Sequence, residues 1–106
     1  MEKKIHEVVY TEKAKFDLEQ IYSYHALNVG IDVAEEIIEN ILAAIHPLEE
    51  GHYNFGQREF FLDHLKREYR RIVVSNYKII YFIGKTGIYI NRVFDARQDP
   101  RKMKVR

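Results

Sequence analysis

No cysteine occurs among the 106 residues, which excludes a disulfide framework, a thiolate zinc site and a thiol nucleophile together. The absence is compatible with a reducing cytosol, so a cytoplasmic location is the expectation. No apolar run approaches the ~18–20 residues that a membrane-spanning helix needs. The opening MEKKIHEVVY also lacks the apolar stretch of a secretory signal, and no membrane partner is expected. Catalytic signatures are missing as well: there is no H-E-x-x-H, no G-x-S-x-G and no glycine-rich loop to cradle a phosphate. His6, His25, His46, His52 and His64 are scattered along the chain, whereas a zinc site needs three or four convergent ligands. Neither a metal nor a cofactor is expected. Glu35, Glu36, Glu39, Glu49 and Glu50 read as a solvated helix face, since the paired carboxylates of a glycosidase must flank a cleft.

What is present suffices for one domain, residues 1–106. Apolar residues make up 46% and charged residues 31%, a balance that argues against disorder. The formal net charge of +1 conceals a division. Residues 1–53 carry 4 Lys/Arg against 11 Asp/Glu, and residues 54–106 carry 13 against 5. Such asymmetry points to an anionic partner for the basic half, or to acidic helices beside basic strands.

Residues 4–10, KIHEVVY, are β-branched and aromatic and read as a strand. Thr11 can cap the helix that follows, in which Ala14, Leu18, Ile21, Tyr22 and His25 recur at helical spacing. Gly30 supplies a left-handed stop. Asp32 and Glu35 resemble a capping box for a second helix. Its stripe is Ala34, Ile37, Ile38, Ile41, Leu42, Ile45 and Leu48, and Pro47 predicts an end near His46. The short connection makes an antiparallel helical hairpin. Residues 51–56 are a loop, and residues 57–68 fit a helical turn, a short strand or irregular structure equally. Three strands follow, at 69–75, 77–83 and 88–94, divided by Ser75-Asn76 and by the hairpin signal Gly84-Lys85-Thr86-Gly87. Asp99-Pro100 can start a turn or short helix in the tail. The class is α+β, with an N-terminal strand and a helical hairpin packed on a mainly antiparallel sheet that ends in a three-stranded meander. The opposite sheet face is expected to carry Arg70, Lys78 and Arg92 with tyrosines.

The candidate chemistry is cationic. Lys66, Arg67, Arg70, Arg71, Lys78, Arg92, Arg97, Arg101, Lys102, Lys104 and Arg106 are interleaved with Tyr69, Tyr77, Tyr81 and Tyr89. Cations neutralise phosphates and tyrosines stack on bases. Strand tyrosines equally serve cross-strand packing.

Four segments in this order resemble the RelE/ParE superfamily of bacterial type II toxin–antitoxin toxins: YTEKAKFDLEQIYSYHA, AEEIIENILAAIHPLEEG, YRRIVVSNYKIIYFI and INRVFDARQDPRKM. The resemblance implies a small toxin neutralised by a cognate antitoxin. In RelE-like members the toxin cuts mRNA on the ribosome, and in ParE-like members it poisons DNA gyrase. An RNase reading would use Arg70, Lys78 and Arg97 as catalytic residues. Arg71, Arg92, Arg101 and Lys102 are the candidates for binding nucleic acid or the target. RelE-like RNases also rely on a tyrosine near the C-terminus. Here that region reads Arg101, Lys102, Met103, and no Tyr, His or Glu follows Asp99. Met103 can neither stack on a base like tyrosine nor move a proton. That departure, the long hairpin and the RQDP ending favour the ParE-like branch, with the ribosome-dependent endoribonuclease as the alternative.

Overall fold

The computed structural model describes residues 7–105. The expected strand at 4–10 is found as β1, Glu7–Tyr10, and its first three positions lie outside the described residues. Thr11 then turns the chain. Its backbone is extended, and its hydroxyl accepts from the Ala14 amide at 3.2 Å and donates to the Asn91 carbonyl at 3.1 Å. One side chain thereby caps the helix α1, Glu12–Asn28, and ties its start to the sheet. Helix α2, Ile31–Glu49, follows after two residues. Gly30 sits at φ 152°, beyond the ordinary reach of L side chains, and both its amide and that of Val29 donate to the His25 carbonyl.

Three details of α2 differ from the sequence reading. Asp32 caps nothing: the turn at Gly30 lets the helix begin at Ile31, which places Asp32 inside the first turn. There its carboxylate faces the positive end of the helix dipole. Nor does Pro47 end the helix. The missing amide matters little in the last turn, since the carbonyl it would have met belongs to exposed Ala43. The actual stop is Gly51, at φ 91°. Its amide donates to Leu48 while that of His52 donates to Pro47, a Schellman motif. Ala34, Ile41, Ile45 and Leu48 are fully buried, whereas Leu42 is 42% exposed and leaves the expected stripe.

The sheet runs β1-β5-β4-β3-β2. Strand β2 is Gln57–Arg58, β3 Arg70–Val74, β4 Tyr77–Ile83 and β5 Gly87–Asp95. Only β1 and β5 are parallel. A bulge falls at Asn91: Ile90 opposes Tyr81 and Arg92 opposes Ile80, which leaves Asn91 unmatched between them. The extra residue resets the alternation. Ile88 and Ile90 before it and Val93 after it all join the core under the helical hairpin.

The opposite face is not an open basic surface. It holds a second core of Leu62, Tyr69, Ile80, Phe82, Phe94 and Met103, against which Leu65, Tyr89 and Val105 pack. The segment between β2 and β3, with a 3-10 turn at Phe60–Leu62, covers it from one side and the C-terminal tail from the other. Lys78 and Arg92 share the parity of this face. Arg70 does not: it shares the parity of Ile72 and lies on the hairpin side.

Tyr81 anchors the loop at 51–56. Fully buried, its hydroxyl accepts from the Gly56 amide at 2.9 Å and donates to the Tyr53 carbonyl at 2.8 Å, and burial pushes its phenol above the usual range. Gly56 is required there, because a Cβ would stand 2.6 Å from the Arg71 carbonyl. Tyr81→Phe is expected to lower unfolding free energy by about 1–3 kcal/mol, the cost of leaving such groups unpaired. A urea titration measures it.

Candidate functional site

Of the cations singled out in the sequence, Arg70, Arg71, Lys78, Arg92, Arg97 and Arg101 are found ion-paired within the fold. Glu59, 2% exposed, caps the 3-10 turn by accepting from Phe61 N. Its two carboxylate oxygens also take Lys78 Nζ at 2.9 Å and Arg71 Nη1 at 3.3 Å. Arg70 grips the Gly56 carbonyl through Nε and Nη2, at 3.0 and 2.6 Å, and pairs with Glu68 at 2.8 Å. These three cations hold the 54–59 loop and the start of the 59–69 segment on the sheet. Glu59, the carboxylate that joins two of them, was not singled out in the sequence. A lone glutamate in a segment without periodicity gives no signal of burial.

Arg92 makes a two-pronged contact with Asp17 of α1, Nε to Oδ2 at 2.7 Å and Nη2 to Oδ1 at 2.9 Å. A third donor, Nη1, reaches the Lys104 carbonyl at 2.7 Å and fixes the tail. Asp17 Oδ2 also accepts from Val93 N at 2.9 Å. It thereby satisfies an edge amide of β5 beyond the end of β1. The Asp17 hydrogen bond raises the already high pKa of Arg92.

Farther along, Arg97 and Arg101 fold back on Asp95 and Asp99, two residues before each. The Arg97 hydrogen bond holds the Asp95 carboxyl below its ordinary value, and Arg101 does the same to Asp99. Arg97→Ala is therefore expected to raise the Asp95 titration midpoint toward the ordinary 3.8. A depressed carboxylate adds stability above its unfolded pKa, which is lost as pH falls through the folded one. That acid-side dependence shrinks in the variant, and NMR titration of the carboxyl carbon follows it.

Arg92, Arg97 and Lys102 line one groove of about 410 Å³ between α1 and the end of β5, together with Tyr24, Tyr77 and Asp95. His25 Nε2 and the Tyr77 hydroxyl meet at 3.0 Å beside it. Arg70, Arg71 and Lys78 are not part of it, so the trio Arg70, Lys78 and Arg97 is not assembled in one pocket. Met103, 4% exposed, plugs the second core. His64 is exposed, and Glu68 is spent on Arg70. Among the described residues no three His, Asp or Glu side chains could hold a metal ion, and no helix is long and apolar enough to cross a membrane.

The surface that sequence reasoning passed over is the end of the hairpin. Leu27, Val29 and Ile31 are 86%, 64% and 58% exposed, and Tyr24 and Val33 are also exposed. All lie in the last turn of α1, the connection or the first turn of α2. Exposed apolar groups at this density make the hairpin tip a candidate contact surface. The signal was present as apolar residues that fit neither helix stripe.

A family profile described as "ParE toxin of type II toxin-antitoxin system, parDE" matches residues 8–100. A solved structure described as the chromosomal ParDE TA system from P. aeruginosa superposes with a TM-score of 0.72 at 18% identity, over 86% of this chain and 96% of that chain. At that identity the likeness shows the fold alone. No curated protein matches the chain. With the profile spanning nearly all of the described residues, the chain belongs to the ParE toxins of type II toxin–antitoxin systems.

Proposed function

We propose that this ParE toxin acts by binding and inhibiting DNA gyrase, and that a cognate antitoxin neutralises it. The observation that carries the reading is the contrast between two surfaces. The cations that an RNA-cleaving site would need already face Glu59, Glu68 and Asp95. A cation paired with a carboxylate offers little additional charge to a phosphate transition state. The hairpin, by contrast, displays an apolar tip beside Asp32, Glu35, Glu36 and Glu39, all exposed. That combination repels nucleic acid and suits a protein partner.

The test is a gyrase assay with purified toxin, read as loss of supercoiling and as trapped cleaved DNA, with mRNA integrity in a translating extract scored beside it. Inhibition of gyrase with intact mRNA is expected. Cleaved mRNA with unaffected gyrase would overturn the proposal and return the ribosome to consideration.

A further inference from the structure

Helix α1 buries Ala14, Asp17 and Ile21. Beside that face it carries a second one, left open to solvent. Phe16 and Tyr24 are 58% and 62% exposed, and Leu27 is 86% exposed. Lys13 and Gln20 are exposed with them. At 100° per residue these five positions fall within about 80° of arc, so they form one stripe. Two large aromatics and a leucine contiguous on the solvent side of a helix mark a contact surface.

The stripe is symmetrical in its spacing. From Lys13 to Phe16, Gln20, Tyr24 and Leu27 the steps are 3, 4, 4 and 3 residues. An antiparallel copy of α1 centred on Gln20 therefore sets Phe16 level with Tyr24, Lys13 level with Leu27, and Gln20 level with itself. That is the reciprocity of a two-fold interface. The ends of the stripe are complementary as well. Lys13, Phe16 and Lys104 line a groove of about 400 Å³ at the start of α1, the level at which Leu27 of the copy arrives. Among the described residues neither Lys13 nor Lys104 meets a carboxylate. In the antiparallel arrangement both ammonium groups lie at the negative, C-terminal end of the copy's α1, towards the hairpin end that carries exposed Asp32. At the centre, the Gln20 amide can donate to its own equivalent and accept from it.

We infer that the free toxin self-associates as a two-fold dimer through the Phe16–Leu27 face of α1. An aromatic side chain buries about 150–250 Å² when fully covered, so the stripe supplies roughly 500 Å² per copy, below the ~800 Å² per partner of a standard stable interface. The dimer is therefore weak and reversible. A foreign peptide would account for an apolar stripe, but not for its symmetry about Gln20. Leu27 also belongs to the hairpin tip, so the dimer withdraws part of that surface from any other partner. The inference concerns the free chain and does not rest on the gyrase reading: a toxin that dimerises in this way and spares gyrase would leave it standing.

Sedimentation velocity of the full chain tests it over about 5–500 µM, a range suited to an interface of this small size. The mean mass is expected to rise from that of one chain towards that of two. Gln20→Lys and Gln20→Glu each place two like charges at the axis, and each is expected to weaken association about tenfold or more. Position 20 is exposed, so both variants keep the fold. An equimolar mixture of the two is expected to restore association, because the axis then holds opposite charges. Lys66→Glu, exposed in the segment that covers the opposite sheet face, is expected to leave association unchanged. A chain that stays monomeric throughout, a dimer indifferent to both Gln20 variants, or one weakened by only one sign of charge would overturn the inference.

Discussion

Asp17→Ala is expected to destabilise the protein by about 3–5 kcal/mol, the range found when one partner of a buried ion pair is removed. The side chains of Asp17 and Arg92 are only 10% and 19% exposed. Three donors converge on the carboxylate, two from the guanidinium and one from the Val93 amide. Truncation leaves Arg92 with the Lys104 carbonyl alone and leaves the Val93 amide unmet. Set against a typical stability of about 5–15 kcal/mol, the loss is large. At roughly 4–8 °C per kcal/mol for a domain of this size, thermal unfolding should shift by tens of degrees. The double variant Asp17→Leu/Arg92→Met separates charge from edge pairing. Replacing both ions by apolar groups can be neutral, but the Val93 amide still lacks its acceptor, so about 1–3 kcal/mol should remain lost. A cost below about 1 kcal/mol for Asp17→Ala would mean that the clamp between α1 and β5 is not what holds them together.

The parts legible in the sequence were those governed by local periodicity. The α2 stripe, the three meander strands and the break at Gly30 each depend on residues within a turn or a strand of one another. Pro47 misled because its effect on helix was read alone. The stop depends on Gly51 accepting a left-handed conformation, four residues on. Residues 57–68 could not be placed because their order is imposed from a distance. Leu62 and Leu65 settle on a sheet face built from later strands, and Glu59 waits for Arg71 and Lys78. The same holds for the cations. Their number was plain, but whether each is free or paired depends on contacts such as Asp17–Arg92, 75 residues apart. The bulge at Asn91 was hidden too, since only the opposing strand reveals an unmatched residue.

Glu59→Ala is expected to cost about 3 kcal/mol, the lower end for a broken buried pair, because its partners Lys78 and Arg71 remain 22% and 24% exposed and can recruit some water. Glu59→Gln should cost less, about 1–2 kcal/mol, since the amide oxygen can still accept from Phe61 N or Lys78 while the charge is gone. That ordering distinguishes lost hydrogen bonding from the repulsion of two cations left without a counter-charge. The damage should also be local. Leu62 N donates to the Glu59 carbonyl and Leu65 N to that of Leu62. Amide exchange at those two positions should therefore rise well before exchange in β4, as expected for a segment that opens on its own. An opened 59–69 segment would uncover Ile80 and Phe82 and release Lys78 and Arg71 to solvent. If instead neither variant moves the unfolding midpoint or the exchange at Leu62 and Leu65, apolar packing alone holds the segment. Lys78 and Arg71 would then be available to an outside anion, which would restore to the sheet the electrostatic role that their pairing with Glu59 now argues against.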